Sequence, residues 1–336
     1  MSRVQVLPGL ASAGYQRHML HADARLWIEK NCYVDVCIEL LHTLGVEPLA
    51  VMGATVCVDF EEDNFTFFKP SHDDMRALYG VDFQELNVWR PLAEHAETQL
   101  GAGKFISTEA DSFYLPDTEG TDYRRNHVKT TIILAELDLA ARRLGYFHNA
   151  AYHVLDGEDF AMLFRVGAAP DPTVLPLFAE VVRSDRLVHR PPNELVHMAR
   201  GLLARHFERR PVTNPMIKFQ HHFERELELL QQRGLTHYHA WAFATLRQMG
   251  SAFELLALHL RWLIDEGQGH GMAPAADDFH RVSAAAKTFV LKAARAVNKR
   301  QSLDASATFS ELSQCWERGM SVLDTQLAHQ AAEQIA

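Results

Sequence analysis

Two cysteines lie five residues apart in the stretch RLWIEKNCYVDVCIELLHTLG, and the first has the features of a nucleophile. The apolar residues after Asn31 have the spacing of one helix face, Asn31 is a favourable N-cap type, and Gly45 supplies a stop. A helix start stabilises a thiolate, the reactive form of cysteine, through unpaired amides and the macrodipole. Cys32 therefore suits nucleophilic catalysis, whereas Cys37 falls on the apolar face and is predicted to be core.

Other interpretations of these residues stay open or weaken. Cysteine is among the most buried residue types, so plain packing is the alternative for Cys32. Four cysteines in 336 residues, without a CxxC pair, disfavour a disulfide framework and a thiolate zinc site. Two Glu-x-x-His pairs, Glu39/His42 and Glu194/His197, fall in different predicted domains without matching carboxylates, so no metal site is predicted.

A thiol nucleophile needs a base, and the base needs an orienting group. His127 opens the predicted strand HVKTTIIL, and Asn149 lies on the predicted return strand LGYFHNAAYHVL. An antiparallel hairpin about residue 138 would place these two residues nearly opposite each other. His148 and His153 are rival partners, although side-chain alternation turns His148 away from the face of Asn149. The sequence thus offers a Cys–His–Asn set as a hypothesis.

The elements that must position this set follow an α+β order, with a cysteine-bearing helix, further helices and a late antiparallel sheet. The segment GAAPDPTVLP, which starts at residue 167, carries three prolines and has the composition of a linker. Long amphipathic patterns beyond it predict a helical bundle. We therefore predict an α+β domain over residues 1–167 and an all-α bundle over residues 168–336.

The charge balance bears on the partners. A net charge of -10 argues against nucleic acid and anionic membranes, and neither a membrane span nor a signal peptide is predicted, which favours a cytoplasmic protein. Two groups of cations stand out, and a solvated surface or a docking surface for an acidic partner would explain each. The first lies on one predicted helix face and the second flanks His127; they are Lys292, Arg295 and Lys299, and Arg124, Arg125 and Lys129.

Five stretches carry a resemblance to a known family: NCYVDVCIELLHTLGVEPLA, FTFFKP, YGVDFQELNVWRPLAEHA, DSFYLPDTEGTDYRRNHVKTT and RLGYFHNAAYHVL. Together they resemble the bacterial domain-of-unknown-function family 1839. More distantly, the helix-start cysteine, the DSFYLP strand end and the His-led strand resemble the butirosin-type acyltransferases. Those enzymes belong with papain-like, peptidase-C39-like proteins and move an aminoacyl group from a carrier-protein thioester to an amine.

This resemblance implies a papain-like domain with Cys32 as nucleophile, His127 as base and Asn149 as orienting residue. Asn31 and Asp111 become candidates for the oxyanion hole and the cleft. The implied function is transfer of an aminoacyl group from a carrier protein to a small amine in a biosynthetic pathway. The carrier protein would supply the phosphopantetheine arm, and no bound cofactor is expected. The family is also associated with seryl-tRNA-synthetase-like ligases that charge carrier proteins with amino acids.

The sequence departs from these relatives at three positions. Papain-like enzymes place an oxyanion-hole glutamine where this chain has Leu26. Butirosin-type sequences have His and Asp where this chain has Asn31 and Asn149. Two alternatives therefore stay open: a cysteine peptidase or amidase that uses the same three residues, and a noncatalytic module that binds a charged carrier protein.

Overall fold

The computed structural model describes residues 3–167 and 175–333. Internal contacts divide the chain into two compact units. The first, called the sheet unit, comprises Met1–Ala22, Cys32–Pro48 and His72–His189. The second, called the helical unit, comprises Asp23–Asn31, Leu49–Ser71 and Arg190–Ala336.

The division differs from the predicted one at residue 167. A strand at Ala179–Arg183 pairs within the sheet, so the sheet unit continues to His189. Two earlier segments also belong to the helical unit rather than to the α+β part. Sequence composition marks the proline-rich segment, but backbone pairing beyond it determines where the first unit ends.

The elements follow one another along the chain as two sets. The strands are β1 (Val4–Gln5), β2 (Phe60–Glu61), β3 (Asn64–Phe65), β4 (Asp82–Glu85), β5 (Phe105–Asp111), β6 (Lys129–Asp138), β7 (Arg143–His148), β8 (Ala151–Asp156) and β9 (Ala179–Arg183). The α-helices are α1 (Cys32–Thr43), α2 (His72–Tyr79), α3 (Leu92–Gly101), α4 (Gly157–Leu163), α5 (Pro192–Phe207), α6 (Pro215–Arg233), α7 (Leu235–Ala242), α8 (Gln248–Asp265), α9 (Ala273–Lys299) and α10 (Ser306–Glu333). These elements confirm the mixed α and β class and the helical C-terminal region.

The sheet unit is built on an antiparallel sheet in the order β4-β9-β5-β6-β7-β8, with β1 added beside β6. Because side chains alternate along a strand, neighbouring residues of β6 serve opposite faces. Ile132 and Leu134 join a buried cluster with Leu92 and Leu100 of α3 and Phe160 of α4. The opposite face of β6 carries α1. The sheet therefore separates two layers of helices.

The predicted return strand of the hairpin needs correction. The stretch LGYFHNAAYHVL forms two strands, β7 and β8, joined by a tight turn. His148 lies opposite Ala151 in the pair next to this turn. Asn149 has φ 48° in this turn, a conformation that asparagine tolerates better than most residues. The stretch DFQE forms strand β4, and Pro48–Cys57 forms a 3₁₀ helix.

The helical unit confirms the amphipathic patterns of the C-terminal sequence. Successive helices α8, α9 and α10 pack against one another, and the β2–β3 hairpin packs on α6 through Phe60 and Phe219, with ring centroids 5.3 Å apart. Trp27 packs on α8 at Gly250, where a Cβ would come within 2.3 Å of the indole, so only glycine fits there. Over the described residues, none of the helices is both long and apolar enough to cross a bilayer.

Candidate functional site

Cys32 is the first residue of α1 and is half-buried. Its thiol donates to the hydroxyl of Thr131 on β6, with 3.6 Å between Sγ and Oγ1. The next residue, Tyr33, fixes the helix start, because its hydroxyl donates to Glu180 of β9 at 2.9 Å. Burial, together with Cys37 and the Glu180 carboxylate, raises the pKa of Tyr33, so this phenol stays protonated as a donor. The thiol is thereby held at one face of the sheet.

The same face carries a set of polar residues from two neighbouring strands. Glu109 of β5 lies opposite Thr131 of β6, and Asp111 lies opposite Lys129. The Lys129 ammonium is 2.8 Å from a Glu109 carboxylate oxygen. Residues at alternate positions of adjacent strands share a face, so these side chains line up beside the thiol. We call the set the Cys32 face, and its members are Cys32, Glu109, Asp111, His127, Lys129 and Thr131.

His127 stands at the exposed end of the Cys32 face. Its Nδ1 lies 2.6 Å from a carboxylate oxygen of Asp111, and its ring stacks on Phe113 with centroids 4.3 Å apart. Asp111 also accepts a hydrogen bond from the backbone amide of Phe113 at 3.0 Å, which fixes the carboxylate. The imidazole is 64% exposed. Asp111 and His127 thus form an oriented His–carboxylate pair with Nε2 available for proton transfer.

The structure does not bring His127 to Cys32. Thr131 faces the thiol, and His127 precedes Thr131 by four residues, which is roughly 13 Å along an extended strand. Among the side chains that the structure describes, Thr131 supplies the hydrogen bond to the thiol, and an imidazole does not. The predicted nucleophile and the predicted base therefore belong to the same sheet face but occupy separate places on it.

The predicted pairing of His127 with Asn149 is wrong. Ile133 lies opposite Phe147, and continuing this register by two residues places Asn149 level with Thr131. The difference arises because β6 runs on to Asp138, which pairs with Arg143, so the hairpin turns later than predicted. Asp111, predicted only as a cleft residue, holds the imidazole instead.

The remaining predicted site residues have local partners or lie elsewhere. Asn31 is buried in the helical unit, where its side-chain amide donates to the carbonyl of Phe68 at 2.8 Å. Arg124 pairs with Asp159, and Lys129 pairs with Glu109, so two of the three cations near His127 already have a carboxylate. Arg125 is exposed. The other predicted cations lie on α9 in the helical unit and are exposed; they are Lys292, Arg295 and Lys299.

A second His–carboxylate pair lies on the opposite face of the sheet. His148 Nδ1 is 2.5 Å from Asp117 Oδ2, and its Nε2 is 2.8 Å from the Thr130 hydroxyl. Tyr146 donates its hydroxyl to the other oxygen of Asp117. Burial alone would raise the pKa of Asp117, but the hydrogen bond and charge of His148 outweigh it, and the pKa is lowered. Sequence reasoning considered His148 only as a rival to Asn149 and missed Asp117.

A third imidazole, His21, lies between two carboxylates of α1. Its Nε2 is 3.1 Å from Asp35 and its Nδ1 is 2.5 Å from Glu39, so both ring nitrogens donate. Burial opposes the imidazolium, but the hydrogen bonds to Asp35 and Glu39 outweigh it and raise the pKa of His21 to about 9. This cation offsets Asp35, an acidic residue in the same first turn as Cys32.

Comparison with protein-family models shows to which family the chain belongs. The model of the DUF1839 N-terminal domain matches residues 16–184, and the model of the DUF1839 C-terminal domain matches residues 192–325. The chain belongs to the DUF1839 family. The gap between the two DUF1839 domains contains the boundary between the structural units along the chain: the sheet unit ends at His189, and the last segment of the helical unit begins at Arg190. A search of curated proteins finds no match. Within the described residues, no group of three His, Cys, Asp or Glu side chains is arranged to hold a metal ion.

Proposed function

We propose that this DUF1839 protein is a thiol acyltransferase in which Cys32 accepts an aminoacyl group from a thioester. The supporting observation is a half-buried thiol at the first residue of a helix, hydrogen-bonded to Thr131 and without an imidazole partner among the described residues. That arrangement suits a reaction in which the thiol attacks but the leaving group needs no proton from a neighbouring acid.

Thiol–thioester exchange is such a reaction. The Cys32 thiolate attacks the thioester carbonyl carbon, a new S–C bond forms, and the old S–C bond breaks. The departing pantetheine leaves as a thiolate and takes up the proton released by Cys32. Hydrolysis of an amide differs, because the leaving nitrogen must be protonated by an acid beside the nucleophile. The contacts of Cys32 therefore favour acyl transfer over the peptidase or amidase alternative.

The second step passes the acyl group from Cys32 to an amine. The amine attacks the acyl carbon, the bond to Sγ breaks, and the amine gives up a proton to a base. Glu109 lies opposite Thr131, with Cβ atoms of such pairs about 5 Å apart, and is the carboxylate that we assign to this task. His127, oriented by Asp111, is the alternative base further along the face. Asn149 has no catalytic role in this scheme, because it does not pair with His127.

The donor in this proposal is a carrier protein whose phosphopantetheine arm presents the aminoacyl thioester, and the acceptor is a small amine. The resemblance to butirosin-type acyltransferases motivates both. The papain-like fold is also part of the proposal, and it is supported by α1, which begins at Cys32 and packs on the antiparallel β6–β7 pair. If the domain is papain-like, the strand position that faces the Cys32 thiol carries Thr131 rather than histidine.

The test is intact-protein mass spectrometry after incubation with an aminoacyl-pantetheine thioester. The wild-type chain should gain one aminoacyl mass, and Cys32→Ala should gain none. Cys57→Ala is the matched control, since Cys57 is also half-buried but its thiol donates to the backbone carbonyl of His206 in the helical unit. This control should still gain the mass.

Other outcomes would change the assignment. An adduct retained in Cys32→Ala would place the reactive thiol elsewhere and defeat the proposal. Binding of the aminoacylated carrier protein without any adduct would favour the noncatalytic module. Cleavage of unmodified peptides that depends on Cys32 would favour the peptidase.

A further inference from the structure

Helix α9 carries positive charge that carboxylates of the described residues balance only at its N-terminal end, where Arg281 pairs with Asp278. Between Asp278 and Asp304 the chain has six Lys or Arg residues and neither Asp nor Glu, in a protein of net charge -10. Three of the cations are exposed and have no ion-pair or hydrogen-bond partner among the residues described; they are Lys292, Arg295 and Lys299. Arg124 and Lys129 of the sheet unit, in contrast, have carboxylate partners.

These cations belong to one stripe of the helix. Residues separated by alternating steps of four and three lie on a single helix face. Such steps run from Arg281 through Ala285, Thr288, Lys292 and Arg295 to Lys299. We call these six residues the α9 stripe. Its length is about 27 Å at 1.5 Å per residue, which is five turns of helix.

A groove interrupts the stripe between its charged ends. The cavity measures about 280 Å³ and lies between α9 and α10. Phe289 and the small side chains of Ala284 and Ala285 supply its apolar lining, and Arg281 and Lys292 stand among its lining residues. An apolar side chain of a partner would fit this depression while carboxylates on either side met the cations.

We propose that the α9 stripe binds an acidic amphipathic helix of a partner protein. Lys292, Arg295 and Lys299 match carboxylates spaced along such a helix, whereas Arg281 already pairs with Asp278. The groove beside Lys292 accepts one apolar residue from the partner helix. A nucleic acid fits less well, because Glu311 lines the groove beside its apolar residues and the acidic molecule repels a long polyanion. This inference concerns the helical unit alone and does not depend on the chemistry of Cys32.

The probe is a synthetic helical peptide with Glu at positions that share one face and a single central Leu on that face. Fluorescence anisotropy at low and moderate salt should show binding that weakens as salt is added. Lys292→Glu, Arg295→Glu and Lys299→Glu combined should weaken binding at least about tenfold at low salt. A control peptide carries Gln in place of Glu. Its binding to the wild-type chain should be no tighter than the binding of the Glu peptide to the triple variant.

A matched control separates the stripe from overall charge. Arg205, Arg209 and Arg225 are exposed in the same unit, and reversing all three to Glu changes the net charge by the same amount. This control should alter binding less than about threefold. A loss as large as that of the stripe variant would overturn the proposal, because net charge would then explain both results.

Two further measurements test the role of the groove and the class of the partner. Ala285→Leu fills the groove without changing the charge, and it should weaken binding of the peptide with a central Leu. Unchanged binding after Ala285→Leu would show that the groove accepts no side chain and would overturn that part of the proposal. Tighter binding of a single-stranded oligonucleotide of equal charge would identify the partner class as nucleic acid and overturn the protein assignment.

Discussion

The sheet unit holds two His–Asp pairs on opposite faces of one sheet. They consist of the same chemical groups but differ in burial and in the hydrogen-bond partners of the imidazole. The side chains of His148 and Asp117 are buried, and both ring nitrogens of His148 have hydrogen-bond partners. His127 and Asp111 make a contact of nearly the same length, but this imidazole is 64% exposed, and among the described residues only its Nδ1 has a hydrogen-bond partner. The first pair has no ring nitrogen left for substrate, whereas the second has one.

The difference separates stability from reactivity. A buried pair whose partners are all supplied by the protein holds elements together, and here it fixes the 3₁₀ turn Pro116–Thr118 onto β7. An exposed pair gains little from its charge interaction because water screens it. Its oriented, open nitrogen is instead suited to proton transfer. The comparison predicts large stability effects on one face of the sheet and kinetic effects on the other.

The largest effect should follow removal of the buried imidazole. His148→Ala leaves the Asp117 carboxylate buried without the imidazole that pairs with it, and such losses cost about 3–5 kcal/mol. Urea unfolding followed by circular dichroism would measure the free energy of unfolding. His127→Ala is the matched control and should change it by less than about 0.5 kcal/mol. Equal losses in the two variants would remove the distinction between the pairs.

A third His–carboxylate cluster gives a pH test of the same idea. The pKa of His21 is about 9 in the folded chain, against 6.5 for an unperturbed histidine. A raised folded pKa means that the stabilisation is fully present below pH 6.5 and is lost as pH rises through 9. The free energy of unfolding should fall over this window by on the order of 3 kcal/mol. His21→Gln should remove this dependence, and a variant that kept the full slope would assign the titration to another group.

The polar residues of the Cys32 face should affect the rate of the second step of the proposed reaction, the transfer of the acyl group to an amine, and not the rate of the first. With the acyl group already on Cys32, Glu109→Gln should slow transfer to an amine by about a hundredfold, since it removes the proposed base. His127→Gln should slow it less, and neither change should slow acylation of Cys32. Rapid-quench mass spectrometry would follow both steps. The reverse ranking would make His127 the base and would require it to move towards Cys32.

How far the sequence predicts this site depends on which interactions decide each part. The helix that begins at Cys32 and ends before Gly45 follows from local patterns, and Gly45 has the positive φ that such a stop favours. Alternation within each strand also puts Glu109 and Asp111 on one face of β5, and Lys129 and Thr131 on one face of β6. Strand register is different, because it depends on where the hairpin turns. Local patterns therefore do not predict the position of Asn149.

The smallest effect concerns Asn149 and tests that register. In a turn with φ 48°, alanine is disfavoured relative to asparagine, so Asn149→Ala should cost about 1 kcal/mol of unfolding free energy. Asn149→Gly should cost less, because glycine adopts positive φ without steric strain. If Asp111 orients His127, both variants should transfer the acyl group at wild-type rates at a temperature where they are fully folded. Asp111→Asn should then slow transfer to the same extent as His127→Gln. Slow transfer by Asn149→Gly, with unfolding unchanged, would instead return the orienting role to Asn149, since lost stability would not account for it.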